Sequence, residues 1–204
     1  MVAKTIVVSV VAFALSFQLS ANVQPGVKAY QRGHPSTALR AWLPLARDGN
    51  SKAQNNVGLM YEKGFGVRQS YAEAIEWYQK ASRQGLAEAQ HNLGLLYYSG
   101  FGVEKNDREA IKNFQKAALK ELPEAQYMLG LMVYDGRGAK ADPKIAKELF
   151  QAAAETGYAQ AQYMLGFILQ SGDLGDPKPL AAFVWSKLAA DQGISQAEEL
   201  NYMT

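Results

Sequence analysis

Cysteine is absent from this 204-residue chain. That excludes disulfides, thiolate nucleophiles, Cys-based zinc sites and a lipid-modified N-terminal cysteine. Histidine is nearly as scarce, with only His34 and His91, and neither a metal nor a cofactor is expected. Charge of one sign is missing too. The 21 basic and 19 acidic residues leave a formal net charge of +2, too little to build a field that recruits nucleic acid, so no nucleic-acid partner is expected. No Ser-x-x-Lys, Gly-x-Ser-x-Gly or His-Glu-x-x-His pattern occurs, so no nucleophile or zinc-hydrolase motif suggests an enzyme. Gly64-Phe65-Gly66 and Gly100-Phe101-Gly102 look like fragments of a phosphate loop, but the following Lys-Ser/Thr is lacking.

What is present is the profile of a folded protein, with 48% hydrophobic and 20% charged residues. The start of the chain reads as an export signal. Lys4 supplies the positive end, Ile6 to Leu15 is apolar apart from Ser9, and Leu19-Ser20-Ala21 ends in a small residue suited to cleavage. The apolar run is far short of the roughly 20 residues of a membrane-spanning helix. Residues 1–21 are therefore expected to be removed, leaving a periplasmic or secreted protein. An uncleaved N-terminal anchor is the alternative.

The remaining chain repeats itself. Gly58, Gly94, Gly130 and Gly166 are spaced 36 residues apart, and so are Ala53, Ala89, Ala125, Ala161 and Ala197. The first four of those alanines are each followed by Gln, and two further alanine series keep the same step. Repetition at this period marks stacked supersecondary units, each unable to bury its apolar stripe alone. Every unit reads as two helices. In the first unit, Ala53, Val57, Met60 and Tyr61 form one helical face, and Gly64-Phe65-Gly66-Val67 breaks it. Ser70 and Glu73 then open a second helix as a capping box. Asp142-Pro143 and Asp176-Pro177 are expected to open later ones. A mid-helix glycine costs about 1 kcal/mol against alanine. Its fourfold use predicts a neighbouring helix too close for any side chain. Gly138→Ala, in a loop, should cost less than Gly130→Leu unless that glycine needs positive φ.

The pattern Ala-Gln-x-x-Leu-Gly-x-x-Tyr-x-x-Gly-x-Gly-Val, followed by Ala-x6-Ala and a closing Gly, resembles the Sel-1-like repeat, a tetratricopeptide-like helix pair. Ala89 to Val103 matches it almost position by position. The resemblance implies an all-α fold, an α-solenoid of stacked antiparallel helix pairs. The expected divisions are a signal at 1–21, a partial repeat at 22–50 and repeats at 51–86, 87–122, 123–158 and 159–194. A half-repeat at 195–204 closes the chain. Two departures stand out. Glu121 occupies the place of Gly85, Gly157 and Gly193, so that turn is expected to differ. Leu174-Gly175 replaces Gly-Val in the fourth repeat, so its loop should differ as well.

Functional expectations rest on positions the repeat leaves variable. Residues 55, 59 and 62 lie about 180° from the Ala53-Val57-Tyr61 stripe, on the side that lines the concave groove in tetratricopeptide-like folds. The same phase gives Asn55, Leu59 and Glu62, then His91, Leu95 and Tyr98, then Tyr127, Leu131 and Tyr134, then Tyr163, Phe167 and Gln170. Tyrosine combines contact area with a polar tip and little entropy to lose. His91, Tyr98, Tyr127, Leu131, Tyr134, Tyr163 and Phe167 are thus candidate contacts for a protein partner, the alternative being packing against the adjacent helix pair. Arg108, Lys112, Lys116 and Lys120 step by four as a basic ridge, a second candidate surface for an anionic envelope polymer or membrane. The family resemblance favours an extracytoplasmic scaffold that binds a protein partner.

Overall fold

The structure, a computed structural model, describes residues 23–172 and 174–202; the export signal expected at 1–21 lies outside them. Eleven helices and no strand occur among the described residues. They are α1 (Gln24–Gln31), α2 (Pro35–Arg47), α3 (Ser51–Lys63), α4 (Tyr71–Arg83), α5 (Ala87–Ser99), α6 (Asp107–Ala118), α7 (Pro123–Tyr134), α8 (Pro143–Glu155), α9 (Ala159–Ser171), α10 (Pro179–Asp191) and α11 (Ser195–Tyr202). They stack as the helix pairs of an α-solenoid. No helix among the described residues is long and apolar enough to cross a membrane. The chain divides into two compact units, one ending at Ala89 and one beginning at Gln90.

Local chemistry sets the helix ends. The side chains of Asn50, Ser70, Asn106 and Asp142 each accept a hydrogen bond from a backbone N–H in the first turn of α3, α4, α6 and α8, satisfying donors a helix start leaves open. Gly64 ends α3 in the left-handed conformation, φ 70°. Each loop is then closed by one recurring bond. Ser70 N donates to Tyr61 O at 2.9 Å, Asn106 N to Tyr97 O at 2.9 Å, Asp142 N to Val133 O at 3.1 Å and Lys178 N to Leu169 O at 2.8 Å.

In the first unit, Trp42 of α2 lies flat against Gly26 of α1, where any Cβ would collide with the indole. Its Nε1 donates to Val23 O at 3.0 Å. Ala38, Ala53, Val57 and Met60 fill the space beside it. Tyr78 of α4, fully buried, covers Gly58 of α3. In the second unit Phe114 covers Gly94 and Phe150 covers Gly130, both rings wholly buried.

These contacts revise the expected role of the glycines. At Gly58, Gly94 and Gly130 an aromatic ring from the second helix of the pair occupies the space, with ring carbons 2.6–2.7 Å from where a Cβ would stand. Only at Gly166 does the neighbouring backbone itself approach. Ser186 stands at the ring position, and a Cβ would lie 3.2 Å from Ala182 O and Ser186 N. Removing the ring lets α9 and α10 close together.

Two further expectations are corrected, and a third meets its stated exception. Glu121 does not change its turn, because it adopts φ 60° and so joins Gly85, Gly157 and Gly193 in the left-handed region. Glu121 N bonds Ala118 O as Gly85 N bonds Ser82 O. Asp176-Pro177 does not open α10; the chain runs two residues further, and Lys178 precedes Pro179 at the first helical position. Gly138 is the exception allowed for, a loop glycine that needs positive φ. Its φ is 74°, and a Cβ there would stand 2.6 Å from Asp107 O. The fourth-repeat loop does differ: Leu174 takes the place of Gly66, Gly102 and Gly138, whose φ lies near 73°, and Gly175 after it adopts φ 127°.

Candidate functional site

In the second unit the first helices α5, α7 and α9 bring the expected contact residues into one periodic series, but the structure uses them differently along it. His91 of α5 packs at a tilt against Phe114, ring centroids 5.5 Å apart and planes 50° from parallel. Burial pushes its pKa down, only partly opposed by the charge of Glu124, and its Nδ1 is buried without a partner. Tyr98, the next-to-last residue of α5, lies beneath Arg137, whose guanidinium carbon sits 4.2 Å from the ring centroid. Arg137 is in turn held by both carboxylate oxygens of Asp107, at 2.9 and 3.3 Å. Tyr127 of α7 meets Phe150 at 6.0 Å and Tyr158 at 5.5 Å between centroids. Burial, foremost, raises its pKa. Leu131 and Tyr134 are half-buried. His91, Tyr98 and Tyr127 therefore spend much of their surface on packing within the unit.

The fourth repeat is different. Tyr163, Phe167 and Gln170 of α9 line one wall of a cleft of about 350 Å³, and Gln196, Glu199 and Leu200 of α11 line the other. Phe167 keeps 39% of its surface exposed, and Gln170 Oε1 is buried with no partner. Phe167 and Leu200 give the cleft its apolar lining, and exposed Gln196 and Glu199 its polar one.

At the matching positions of the first unit, Asn55 and Glu62 are polar and Leu59 is apolar. Glu62 accepts a hydrogen bond from the Tyr78 hydroxyl at 2.8 Å and pairs with Lys63 at 2.7 Å. Burial and that carboxylate push the Tyr78 pKa upward. Asn55, with Lys52, Asn56 and Glu88, borders a separate hollow of about 460 Å³.

The basic ridge is shorter than its spacing promised. Arg108, Lys112 and Lys116 lie exposed on α6, but the helix ends at Ala118 and leaves Lys120 in the following turn. Lys112 is paired with Glu109 at 2.6 Å. Among the described residues no group of three His, Asp or Glu side chains is placed to hold a metal ion.

Sequence reasoning missed two devices. At Gln54 and Gln162 the Gln after the repeating alanine ties its helix to the preceding second helix. Gln54 Nε2 donates to Ala46 O at 3.1 Å and Gln162 Nε2 to Ala154 O at 3.2 Å, which satisfies helix-end carbonyls. A second glutamine, 30 residues on, completes the link: Gln84 donates to Gln54 Oε1 at 2.7 Å and Gln192 to Gln162 Oε1 at 2.8 Å. Thr156 holds that place for Gln126, whose Oε1 is left buried and unpartnered. The other device is the Tyr98–Arg137–Asp107 cluster. Its signal is Arg137 standing where Phe65 and Phe101 stand in the Gly-x-Gly turns.

Comparison with known proteins agrees with this geometry. The Sel1 repeat matches residues 51–86, 87–121, 123–158 and 159–194. A Sel1 repeat protein from Oxalobacter formigenes is 32% identical with a TM-score of 0.82, covering 88% of this chain and 72% of that one. The protective antigen c5321, present in uropathogenic Escherichia coli strains and displaying an SLR fold, is 33% identical with a TM-score of 0.80. That match covers 92% of this chain, which spans 41% of the antigen's length. The immunity protein Pa5087 from Pseudomonas aeruginosa, 22% identical over 88% of this chain and 68% of its own, with a TM-score of 0.59, shares the fold. Curated protein sequences give no match. With its repeating alanines and glycines, its ring-on-glycine helix pairs and four matched repeats, the chain belongs to the Sel1 repeat family.

Proposed function

We propose that the protein is an extracytoplasmic scaffold that binds a segment of a protein partner, and that the cleft between α9 and α11 is the principal contact. Sel1 repeat folds commonly serve as protein-interaction scaffolds. The observation that carries the reading is that Tyr163, Phe167 and Gln170, chosen by phase alone, line one cleft together with Leu200. An apolar lining beside exposed Gln196 and Glu199 suits a short extended or helical segment with one apolar anchor. Glu199 at the edge favours a Lys or Arg beside that anchor. The exported location rests on Lys4, the apolar run and Ala21.

The basic ridge has less to offer an anionic surface, because Lys112 already has Glu109 and Lys120 leaves the helix. The test compares Tyr163→Ala with Phe167→Ala against Lys112→Gln with Lys116→Gln. The readout is recovery of crosslinked protein partners from the native host. Loss with the first pair and retention with the second is the expected result. Retention with the first pair and loss with the second would replace the cleft by the ridge.

A further inference from the structure

The second helices carry a solvent-facing row at positions i, i+4 and i+8, opposite the face they bury. In α4 that row is Ala72, Glu76 and Lys80; in α6 it is Arg108, Lys112 and Lys116; in α8 it is Lys144, Glu148 and Ala152. Each row carries at least two charges. In α10 the same row is Leu180, Val184 and Leu188, which keep 79%, 48% and 42% of their surface exposed. These side chains do not serve the core. The opposite face of α10, Ala182, Ser186 and Ala189, is the one buried. An apolar row placed where sister helices carry charge has a cost in water and points to a partner surface.

The layout of the row selects the occupant. Leu180 and Leu188 lie symmetrically about Val184, with exposed Lys178 before the row and exposed Asp191 after it. Turned end for end about Val184, the row lands on itself, and Lys178, six residues before the axis, comes within one residue of Asp191, seven after it. An isologous two-fold contact requires this self-complementarity. We propose that α10 pairs antiparallel with α10 of a second copy of this chain, on a two-fold axis passing beside Val184. Leu180 then packs on Leu188 of the partner subunit, and Lys178 faces Asp191 of the partner subunit. Asp191 already accepts from Lys187 at 2.6 Å within its own helix, and a carboxylate has room for a second donor. One helix-on-helix contact buries less than the roughly 1,200 Å² of a stable interface, so the dimer is weak and concentration-dependent.

The absence of cysteine makes single-cysteine reporters clean on the full chain. Val184→Cys sits at the axis, where the two Cβ atoms approach closely enough for a disulfide. It should crosslink to a dimer at least about tenfold faster under mild oxidant than Lys112→Cys on α6, the rate difference that a 1.4 kcal/mol preference gives. Leu180→Cys mixed with Leu188→Cys should form the mixed dimer faster than either forms its own. Lys178→Glu should slow crosslinking of Val184→Cys, and adding Asp191→Lys should restore it. Equal rates for Val184→Cys and Lys112→Cys would overturn the proposal. So would fast Val184→Cys crosslinking that the charge swap leaves unchanged, or a chain that stays monomeric and sediments with vesicles of anionic lipid through this row.

Discussion

Replacing Glu121 by glycine should stabilise the protein, an outcome that the chemistry of the side chain alone does not suggest. Glu121 is the one non-glycine residue with positive φ among the described residues, at 60°, and its side chain is exposed. A residue bearing a Cβ pays about 1–2 kcal/mol in the left-handed region. Glycine avoids that strain but gives up about 0.5–1 kcal/mol in backbone entropy on folding. The balance favours Glu121→Gly by about 0.5–1 kcal/mol, since Glu121 N and Leu122 N keep their bonds to Ala118 O and Ala117 O. For a chain of this length that raises the melting temperature by about 2–4 °C per kcal/mol. Urea unfolding followed by circular dichroism at 222 nm measures the difference. Glu121→Ala is the control. It removes the carboxylate from the C-terminal end of α6, where a negative charge opposes the helix dipole, but keeps the Cβ. Glycine must exceed alanine in stability; if the two variants are equal, the gain is electrostatic and the strain argument fails.

Gly130→Leu should cost about 3 kcal/mol, since the new side chain meets the fully buried Phe150 ring. Gly138→Ala should cost about 1–2 kcal/mol or more through φ 74° and contact with Asp107 O; a neutral melt would contradict that loop geometry. Thr156→Gln, completing the link that Gln84 and Gln192 make elsewhere, should add about 0.5–1.5 kcal/mol in chemical denaturation, and any loss would show that Gln126 Oε1 does not lie within its reach. His91 is held neutral by burial, its folded pKa below its unfolded value. Stability should therefore be full above about pH 6.5 and fall as pH drops towards its folded pKa. His91→Gln should flatten that fall, and an unchanged pH profile would remove His91 as its source.

Fold class and repeat boundaries were legible in the sequence because solenoid contacts are local and recur at one period. Ala53 and its four successors must be small wherever helices meet, so the same residue returns at the same step. The caps Ser70 and Asp142 were readable because an N-cap acts within three residues of itself. The aromatic partner of Gly58, Gly94 and Gly130 was not, although Tyr78, Phe114 and Phe150 repeat in phase. Periodicity identifies which positions recur, but only packing shows which of them touch. The left-handed Glu121 illustrates the same limit: a turn imposed by the stacking of α6 and α7 overrides the preference of the residue placed in it. For the candidate site, phase alone put Tyr127 and Phe167 on one face and could not separate them. Tertiary structure did so, because α8 and Tyr158 close over Tyr127, whereas α11 stands back from Phe167 and leaves a cleft.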